Sequence, residues 1–189
     1  MLRAGRFLTL SPDQTTPPDV AQLIEVLDRN GVDYLVVGGV ATQAYGAKRP
    51  TGDFDCLVRR TRENFEQLAV AMRELNARLR VEVISDDEAA ALPTQVHGET
   101  IARMEISTWR TDAGDFDVLV DIPGRDGRHL PYEELIGEAR RLDVGGVQVR
   151  VAGLGAIIAS KEWANRPKDH AALPELHYLA ASREQSLDS

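Results

Sequence analysis

The sequence predicts a mixed α/β domain of the α+β kind, in which a mixed sheet is flanked by helices and followed by a C-terminal helical segment. Two segments, DFDCLV at 53–58 and DFDVLV at 115–120, alternate acidic and apolar residues with the period of a half-buried strand. The continuous apolar run YLVV at 34–37 is typical of a strand buried on both faces. Because strands and helices follow one another without strict βαβ repetition, we expect a mixed sheet rather than a parallel one.

The first half of the chain is predicted to alternate helices and strands after a flexible arm at residues 1–18. The expected elements are a helix at 19–30, a strand at 34–37, a brief helix at 40–45, a strand at 53–58 and a helix at 62–78. The first helix carries apolar residues at helical spacing and stops at Gly31. The last is amphipathic, with Phe65, Leu68 and Met72 on its apolar side.

The second half is predicted to contain further strands, a hairpin and two closing helices. The expected elements are strands at 80–84, 101–109 and 115–122, a short helix at 85–92, a hairpin at 142–149, and helices at 154–164 and 167–182. Gly145-Gly146 supplies the hairpin turn, and Pro174 is expected to kink or split the last helix. The predicted organisation is a core at 19–152, C-terminal helices at 153–183 and a tail at 184–189.

Composition limits the classes of function. The 189 residues include 43% hydrophobic and 28% charged residues, which is ordinary for one globular domain. No apolar run approaches the roughly 20 residues that span a bilayer, and no secretion signal is evident, so we expect a cytoplasmic protein without a membrane partner. The single cysteine, Cys56, lies on the apolar side of its strand and suits a core position. A net charge of −8 argues against bulk coating of nucleic acid, although a local basic patch can suffice.

The acidic residues of the two similar strands are candidate metal ligands. Side chains two apart share one strand face, so Asp53 and Asp55 point the same way, as do Asp115, Asp117 and Asp121. If the two strands pair, three or four carboxylates converge and repel one another unless a cation binds. Magnesium prefers such oxygen ligands together with substrate phosphates. The alternative is that each strand only has an exposed acidic face.

Two further segments could bind phosphate. Gly38-Gly39 ends a buried strand and precedes a helix, where backbone can approach a ligand closely, and the alternative is a plain turn, which is the commoner reason for such a pair. Lys161, Arg166 and Lys168 place three cations in eight residues and could hold a triphosphate. The alternative is a solvated turn in which Asp169 favours the start of a helix. The histidines, with no metal-binding spacing, suit surface or structural roles; they are His97, His129, His170 and His177.

The order of these motifs resembles the nucleotidyltransferase fold of the DNA polymerase beta superfamily, and within it the AbiEii and MenT type of bacterial toxin nucleotidyltransferases. The resemblance covers about residues 20 to 180. Its motifs are YLVVGGVA at 34–41, Tyr45-Gly46, Arg49, Thr51-x-Asp53-x-Asp55, a later strand aspartate, Lys161, and RPKD at 166–169.

The resemblance implies a role for each site residue. It implies that Gly38 and Gly39 contact nucleotide phosphates, with Thr51 beside them. Two Mg²⁺ ions are expected on Asp53, Asp55 and one later acid, for which we take Asp117 while Asp115 stays open. Lys161 is expected to hold the triphosphate with Arg166 and Lys168, and Asp169 to complete or orient that site within C-terminal helices that complete the active site.

The resemblance also implies a function and partners. It implies Mg²⁺-dependent transfer of NMP from an NTP to an acceptor hydroxyl, with the 3′ end of tRNA as leading acceptor, by a translation-blocking toxin with a cognate antitoxin. An acceptor surface is expected among arginines spread along the chain; they are Arg59, Arg60, Arg62, Arg73, Arg80, Arg125 and Arg128. The alternatives are a small-molecule acceptor of the aminoglycoside type, a protein hydroxyl, or an inactive nucleotide-binding module.

Overall fold

A computed structural model of the protein describes residues 17–80 and 96–187. The helices are α1 (Val20–Arg29), α2 (Gly38–Ala44), α3 (Arg62–Glu74), α4 (Gly98–Ile101), α5 (Tyr132–Leu135), α6 (Leu154–Ala164) and α7 (Pro167–Leu187). The strands are β1 (Tyr34–Val37), β2 (Asp53–Val58), β3 (Arg78–Leu79), β4 (Ile106–Thr111), β5 (Gly114–Leu119), β6 (Asp121–Pro123), β7 (His129–Pro131), β8 (Arg140–Val144) and β9 (Val147–Val151). A 3₁₀ turn follows α5 at Ile136–Glu138.

The described strands form a seven-stranded mixed sheet in the order β3-β4-β5-β2-β1-β9-β8, and a small sheet of β6 and β7. The pairs β2–β5 and β1–β9 are parallel, and the other neighbours are antiparallel. This confirms the predicted mixed sheet flanked by helices. Among the described helices, none is long and apolar enough to cross a bilayer.

The central strands bury their apolar faces beneath the acidic ones. Phe54 of β2 is the register partner of Phe116 of β5, and their ring centroids lie 5.7 Å apart. Both rings and the indole of Trp109 on β4 are fully buried. Burying side chains of this kind stabilises a fold by roughly 1.5–3 kcal/mol each. Cys56 is also fully buried, as predicted from its place on β2.

Two helices are capped by the residues that the sequence places there. Asp19 accepts a hydrogen bond from the Gln22 N–H at 3.0 Å, at the start of α1. Thr61 accepts one from the Asn64 N–H at 3.2 Å, at the start of α3. Such caps satisfy amide groups that a helix leaves unpaired and contribute about 1 kcal/mol each.

The region around α3 differs from the prediction. α3 ends at Glu74 rather than Arg78, because Asn76 adopts a left-handed conformation with φ of 52° and the chain turns into β3. The strand predicted at 101–109 begins only at Ile106, since residues 98–101 form the helical turn α4. Most of the strand predicted at 80–84, and all of the helix predicted at 85–92, lie outside the described residues, as does most of the 1–18 arm.

Other boundaries also differ. The strand predicted at 115–122 divides at Val120, so Asp121 belongs to β6 and contacts His129 in the small sheet. The prediction that Asp121 shares a face with Asp117 is therefore wrong. Pro174 does not split α7, which continues to Leu187 and packs against α6. Finally, α2 begins at Gly38 rather than Val40, so the glycine pair forms the first helical turn.

Candidate active site

A cleft of about 160 Å³ lies where β1 meets α2, beside the acidic faces of β2 and β5. Every predicted site residue except Asp169 lines this cleft; they are Gly38, Gly39, Thr51, Asp53, Asp55, Asp117, Lys161, Arg166 and Lys168. Three residues of α7 that the sequence did not single out also line the cleft; they are Ala172, Glu175 and Leu176. The fold thus joins segments separated by more than a hundred residues in the chain.

Three carboxylates converge in the cleft. Asp55 and Asp117 are register partners on parallel strands, and Asp53 precedes Asp55 by two residues on the same face. One carboxylate oxygen from each lies within 4.8 Å of the others, and all three side chains are half-buried. Oxygen ligands grouped in this way are what Mg²⁺ binds.

Asp115 is held away from this group by two arginines. The Arg80 Nη1 lies 2.9 Å from Oδ2 of Asp115, and the Arg110 Nε lies 3.1 Å from Oδ1. Both carboxylate oxygens are therefore occupied, and the side chain is only 8% exposed. Asp117 belongs to the group of three carboxylates, whereas Asp115 is engaged by the two arginines.

The electrostatics of the three acids favour a bound cation. Burial, and then the charges of Asp53 and Asp117, raise the pKa of Asp55 to about 7, although the Gly39 N–H partly opposes this. Burial also raises the pKa of Asp117, against a hydrogen bond from Thr108. The buried Oδ1 of Asp117 accepts no hydrogen bond from the part of the chain that the structure describes. A buried carboxylate oxygen that accepts no hydrogen bond, on an acid grouped with two others, fits a divalent cation, because a cation offsets both repulsion and desolvation.

The glycine pair makes room for these acids. Gly38 has φ of +63°, and a Cβ there would lie 1.9 Å from Oδ2 of Asp55. A Cβ on Gly39 would lie 2.3 Å from Oγ1 of Thr51. Side chains at positions 38 and 39 would therefore displace the residues that hold the site, which is a stronger requirement than a turn alone imposes.

Thr51 contacts an acid directly. Its hydroxyl donates to Oδ1 of Asp53 at 2.7 Å. The backbone N–H of Gly39 points to Oδ2 of Asp55 at 3.4 Å. The sequence predicted that Thr51 lies beside the phosphates of a nucleotide. The structure adds a hydrogen bond by which Thr51 orients the Asp53 carboxylate.

The basic side chains of Lys161 and Arg166 in the cleft are anchored by a buried acid. Asp169 is fully buried; its Oδ1 lies 3.3 Å from the Lys161 Nζ and its Oδ2 lies 2.7 Å from the Arg166 Nε. Burial alone would raise the pKa of Asp169, but the hydrogen bonds and charges of Arg166 and Lys161 hold it below its usual value. Arg49 donates to the carbonyl of Lys168 at 3.2 Å and ties the loop before β2 to the start of α7. Asp169 therefore holds Lys161 and Arg166 in place and does not itself line the cleft.

The arginines expected to bind the acceptor do not line the cleft. Several are paired elsewhere: Arg59 with Asp33 and Glu133, Arg73 with the carbonyl of Val96, Arg80 with Asp115, Arg125 with Glu162, and Arg128 with Glu134.

The sequence reasoning missed Thr108 of β4, the register partner of Asp117. The alternation of β4 places Thr108 and Arg110 on one face, and that signal could have found both. The histidines behave as expected where they make contacts, since His129 and His177 pair with the surface carboxylates of Asp121 and Glu162.

Comparison with known proteins identifies the fold. No protein-family model matches the sequence, and no curated protein sequence matches it. Among solved structures, ANT(2″)-Ia in complex with adenylyl-2″-tobramycin has a TM-score of 0.55 and 16% identity, over 87% of this chain and 86% of that chain. The lincomycin-bound lincosamide antibiotic adenylyltransferase LnuA has a TM-score of 0.58 and 10% identity, over 88% of this chain and 99% of that chain. The chain therefore has the nucleotidyltransferase fold that the motifs indicated.

Proposed function

We propose that this protein is a Mg²⁺-dependent nucleotidyltransferase that moves NMP from an NTP to an acceptor hydroxyl. The observation that carries the proposal is the group of Asp53, Asp55 and Asp117 oxygens within 4.8 Å, in one cleft with Lys161 and Lys168. Carboxylates that hold metal ions and cations that hold a triphosphate are the two parts that nucleotidyl transfer requires. An inactive binding module would not need the complete acidic group.

Each residue has a task in this reaction. Lys161, Arg166 and Lys168 hold the triphosphate, while the absence of side chains at Gly38 and Gly39 lets it approach the backbone. The three acids would hold Mg²⁺, which supplies charge neutralisation for the triphosphate and for the departing pyrophosphate.

The transfer itself exchanges one bond for another. The acceptor oxygen forms a bond to the α-phosphorus, the bond to the bridging oxygen of pyrophosphate breaks, and the acceptor proton leaves. Among the three acids, we assign acceptance of that proton to the carboxylate of Asp117.

We take the 3′ end of tRNA as the leading acceptor and a block of translation as the consequence. The support is the resemblance of Thr51-x-Asp53-x-Asp55, Lys161 and the RPKD segment at 166–169 to the toxin type of nucleotidyltransferase. A toxin of this type implies a cognate antitoxin protein as partner.

The second candidate acceptor is a small molecule. Solved structures with this fold include ANT(2″)-Ia with an adenylylated tobramycin and the lincosamide adenylyltransferase LnuA. The net charge of −8 suits a cationic acceptor better than a polyanion.

A labelling experiment tests both candidates. The purified full-length chain is incubated with Mg²⁺ and each of the four α-³²P-labelled NTPs in turn, with total tRNA, tobramycin, lincomycin or a protein extract as acceptor. We expect label on tRNA with the wild type and none with Asp55→Ala. The control for loss of one negative charge is Glu25→Gln, at an exposed acid on α1. This variant should transfer label to tRNA as the wild type does.

The outcomes separate the hypotheses. Label on an antibiotic or a protein but not on RNA would select the alternative acceptor and leave the transferase proposal standing. Absence of label on every acceptor, from wild-type protein that is folded and binds Mg-NTP in calorimetry, would select the inactive module.

A further inference from the structure

Strand β4 gives different partners to the two acids of β5. In the antiparallel pairing of β4 and β5, Thr108 lies opposite Asp117 and Arg110 lies opposite Asp115. Side chains directly opposite each other in such a pair have Cβ atoms roughly 4.5–5.5 Å apart, so each acid meets its own partner.

The two acids differ in how many of their carboxylate oxygens are bonded. Arg110, with Arg80, occupies both oxygens of Asp115. Thr108 lies directly opposite Asp117 and lowers the pKa of that carboxyl through a side-chain hydrogen bond, while the buried Oδ1 of Asp117 accepts none from the described residues. A short neutral hydroxyl can bind one carboxylate oxygen and leave the other available, which a pair of arginines does not.

The other end of the acidic group is arranged in the same way. Asp53 also receives one hydroxyl, that of Thr51, at 2.7 Å. Each of these two acids is thus held by a threonine, and one oxygen of each belongs to the group that lies within 4.8 Å.

We propose that Thr108 is a positioning residue, whose hydroxyl holds the Asp117 carboxylate so that Oδ1 faces Asp53 and Asp55 as a ligand for a divalent cation. The inference rests on the metal-binding part of the proposed function, and not on the identity of the acceptor. Partners that orient metal ligands in this way contribute about 10- to 100-fold to metal affinity.

The test is direct binding of Mn²⁺ to the full-length protein without nucleotide, measured by the electron paramagnetic resonance signal of the Mn²⁺ that remains free. Thr108→Val keeps the shape and removes the hydroxyl, and we expect it to weaken Mn²⁺ binding by about 10- to 100-fold. Thr108→Ser restores a hydroxyl and is expected to bind Mn²⁺ close to the wild type. In the transfer assay, Thr108→Val should need more Mg²⁺ for half-maximal rate while recovering most of its rate at saturating Mg²⁺.

A matched control lies on the same strand. Thr111 donates its hydroxyl to the carbonyl of Gly114 at 2.7 Å, so Thr111→Val removes a β4 hydroxyl that serves the turn. We expect it to lower thermal stability without changing Mn²⁺ affinity. Thermal unfolding of the metal-free variants separates a folding defect from a binding defect.

Any of three results with the variants would overturn the inference. They are equal Mn²⁺ affinity in Thr108→Val and the wild type, equal weakening by the Val and Ser variants, or equal weakening by Thr111→Val. If the wild type binds Mn²⁺ and Thr108→Val binds it weakly, but no acceptor is ever labelled, the proposed transferase fails while the role of Thr108 stands. A wild type that binds no Mn²⁺ overturns this inference regardless of the labelling result.

Discussion

Asp55 of β2 and Asp117 of β5 are direct register partners in a parallel strand pair, so the two similar hexapeptides lie side by side, residue for residue. On the opposite face of the same pair, Phe54 meets Phe116 with ring centroids 5.7 Å apart. The same register therefore stacks apolar side chains in the core and carboxylates in the cleft. Apolar packing stabilises the pairing, and it offsets the repulsion between acids placed directly opposite each other.

The first prediction concerns the choice between the two acids of β5. Asp117→Asn should reduce nucleotidyl transfer by more than about 100-fold, because loss of an outer partner alone already costs about 10- to 100-fold in metal affinity. Asp115→Asn should keep Mn²⁺ binding but lower the free energy of unfolding by about 1–3 kcal/mol, since it leaves Arg80 and Arg110 without their shared charge. Mn²⁺ titration and urea unfolding of both variants check this, and weak Mn²⁺ binding only in Asp115→Asn would reverse the assignment.

The second prediction concerns pH in the metal-free protein. Burial and the neighbouring acids raise the pKa of Asp55 from its ordinary value of 3.8 to about 7. An acid whose pKa is raised by folding favours the folded state at low pH, and that contribution is lost as pH rises through the folded pKa. The free energy of unfolding should therefore decline between pH 4 and 7 by a contribution on the order of a few kcal/mol from this group.

The difference between the wild type and Asp55→Asn isolates this contribution, because other titrating groups are common to both proteins. Urea unfolding in EDTA at pH 5, 6, 7 and 8 measures it. With Mg²⁺ added, stabilisation of the wild type should grow over the same range, since Mg²⁺ competes with the proton for the carboxylate. Parallel pH profiles for the two proteins would contradict the prediction.

The third prediction concerns the glycine pair. Gly38→Ala should destabilise the protein by at least about 1–2 kcal/mol, the cost of a left-handed conformation, because its φ is +63°. Its Cβ would also displace Oδ2 of Asp55, so Mn²⁺ binding should weaken beyond what the loss of stability explains.

Gly155→Ala is the matched control, because a Cβ at that position of α6 meets nothing within 4 Å. It should be neutral or stabilising by up to about 1 kcal/mol, since alanine favours a helix over glycine. Thermal unfolding and Mn²⁺ titration of both variants decide the matter. Unchanged metal affinity in Gly38→Ala would show that the site tolerates the added methyl group.

The fourth prediction concerns the buried anchor of the lysine. Asp169→Asn removes the charge that holds Lys161 and Arg166, and breaking a buried ion pair costs about 3–5 kcal/mol, reduced here because Arg166 is 56% exposed. The KM for NTP should rise more than kcat falls, because Lys161 loses its orientation toward the triphosphate. The double variant with Lys161→Met should lose less stability than the sum of the single variants, and strict additivity would argue against coupling.

Sequence reasoning performed best where a pattern is local. The period of two at residues 53–58 predicted β2 with its bounds, and Gly145-Gly146 predicted the hairpin of β8 and β9. It performed worst where contacts with distant parts of the chain decide where a helix or strand begins and ends. The end of α3 is followed by Asn76, which adopts a left-handed conformation and donates to the distant Asp112 at 2.6 Å. The break of the second acidic strand depends on the pairing of β6 with β7. Pro174 stayed inside α7 because packing against α6 outweighs an unfavourable local residue.

The sequence by itself determined which residue types stand on which strand faces, because alternation along a strand follows from backbone geometry. It thereby supplied the acids, the glycine pair and the cations of the cleft. Only the tertiary structure distinguished the surroundings of Asp115 and Asp117, because the partner across the sheet is an arginine for one and a threonine for the other. It also brought Lys161 to acids far earlier in the chain, since pairing and packing depend on contacts that no local pattern contains.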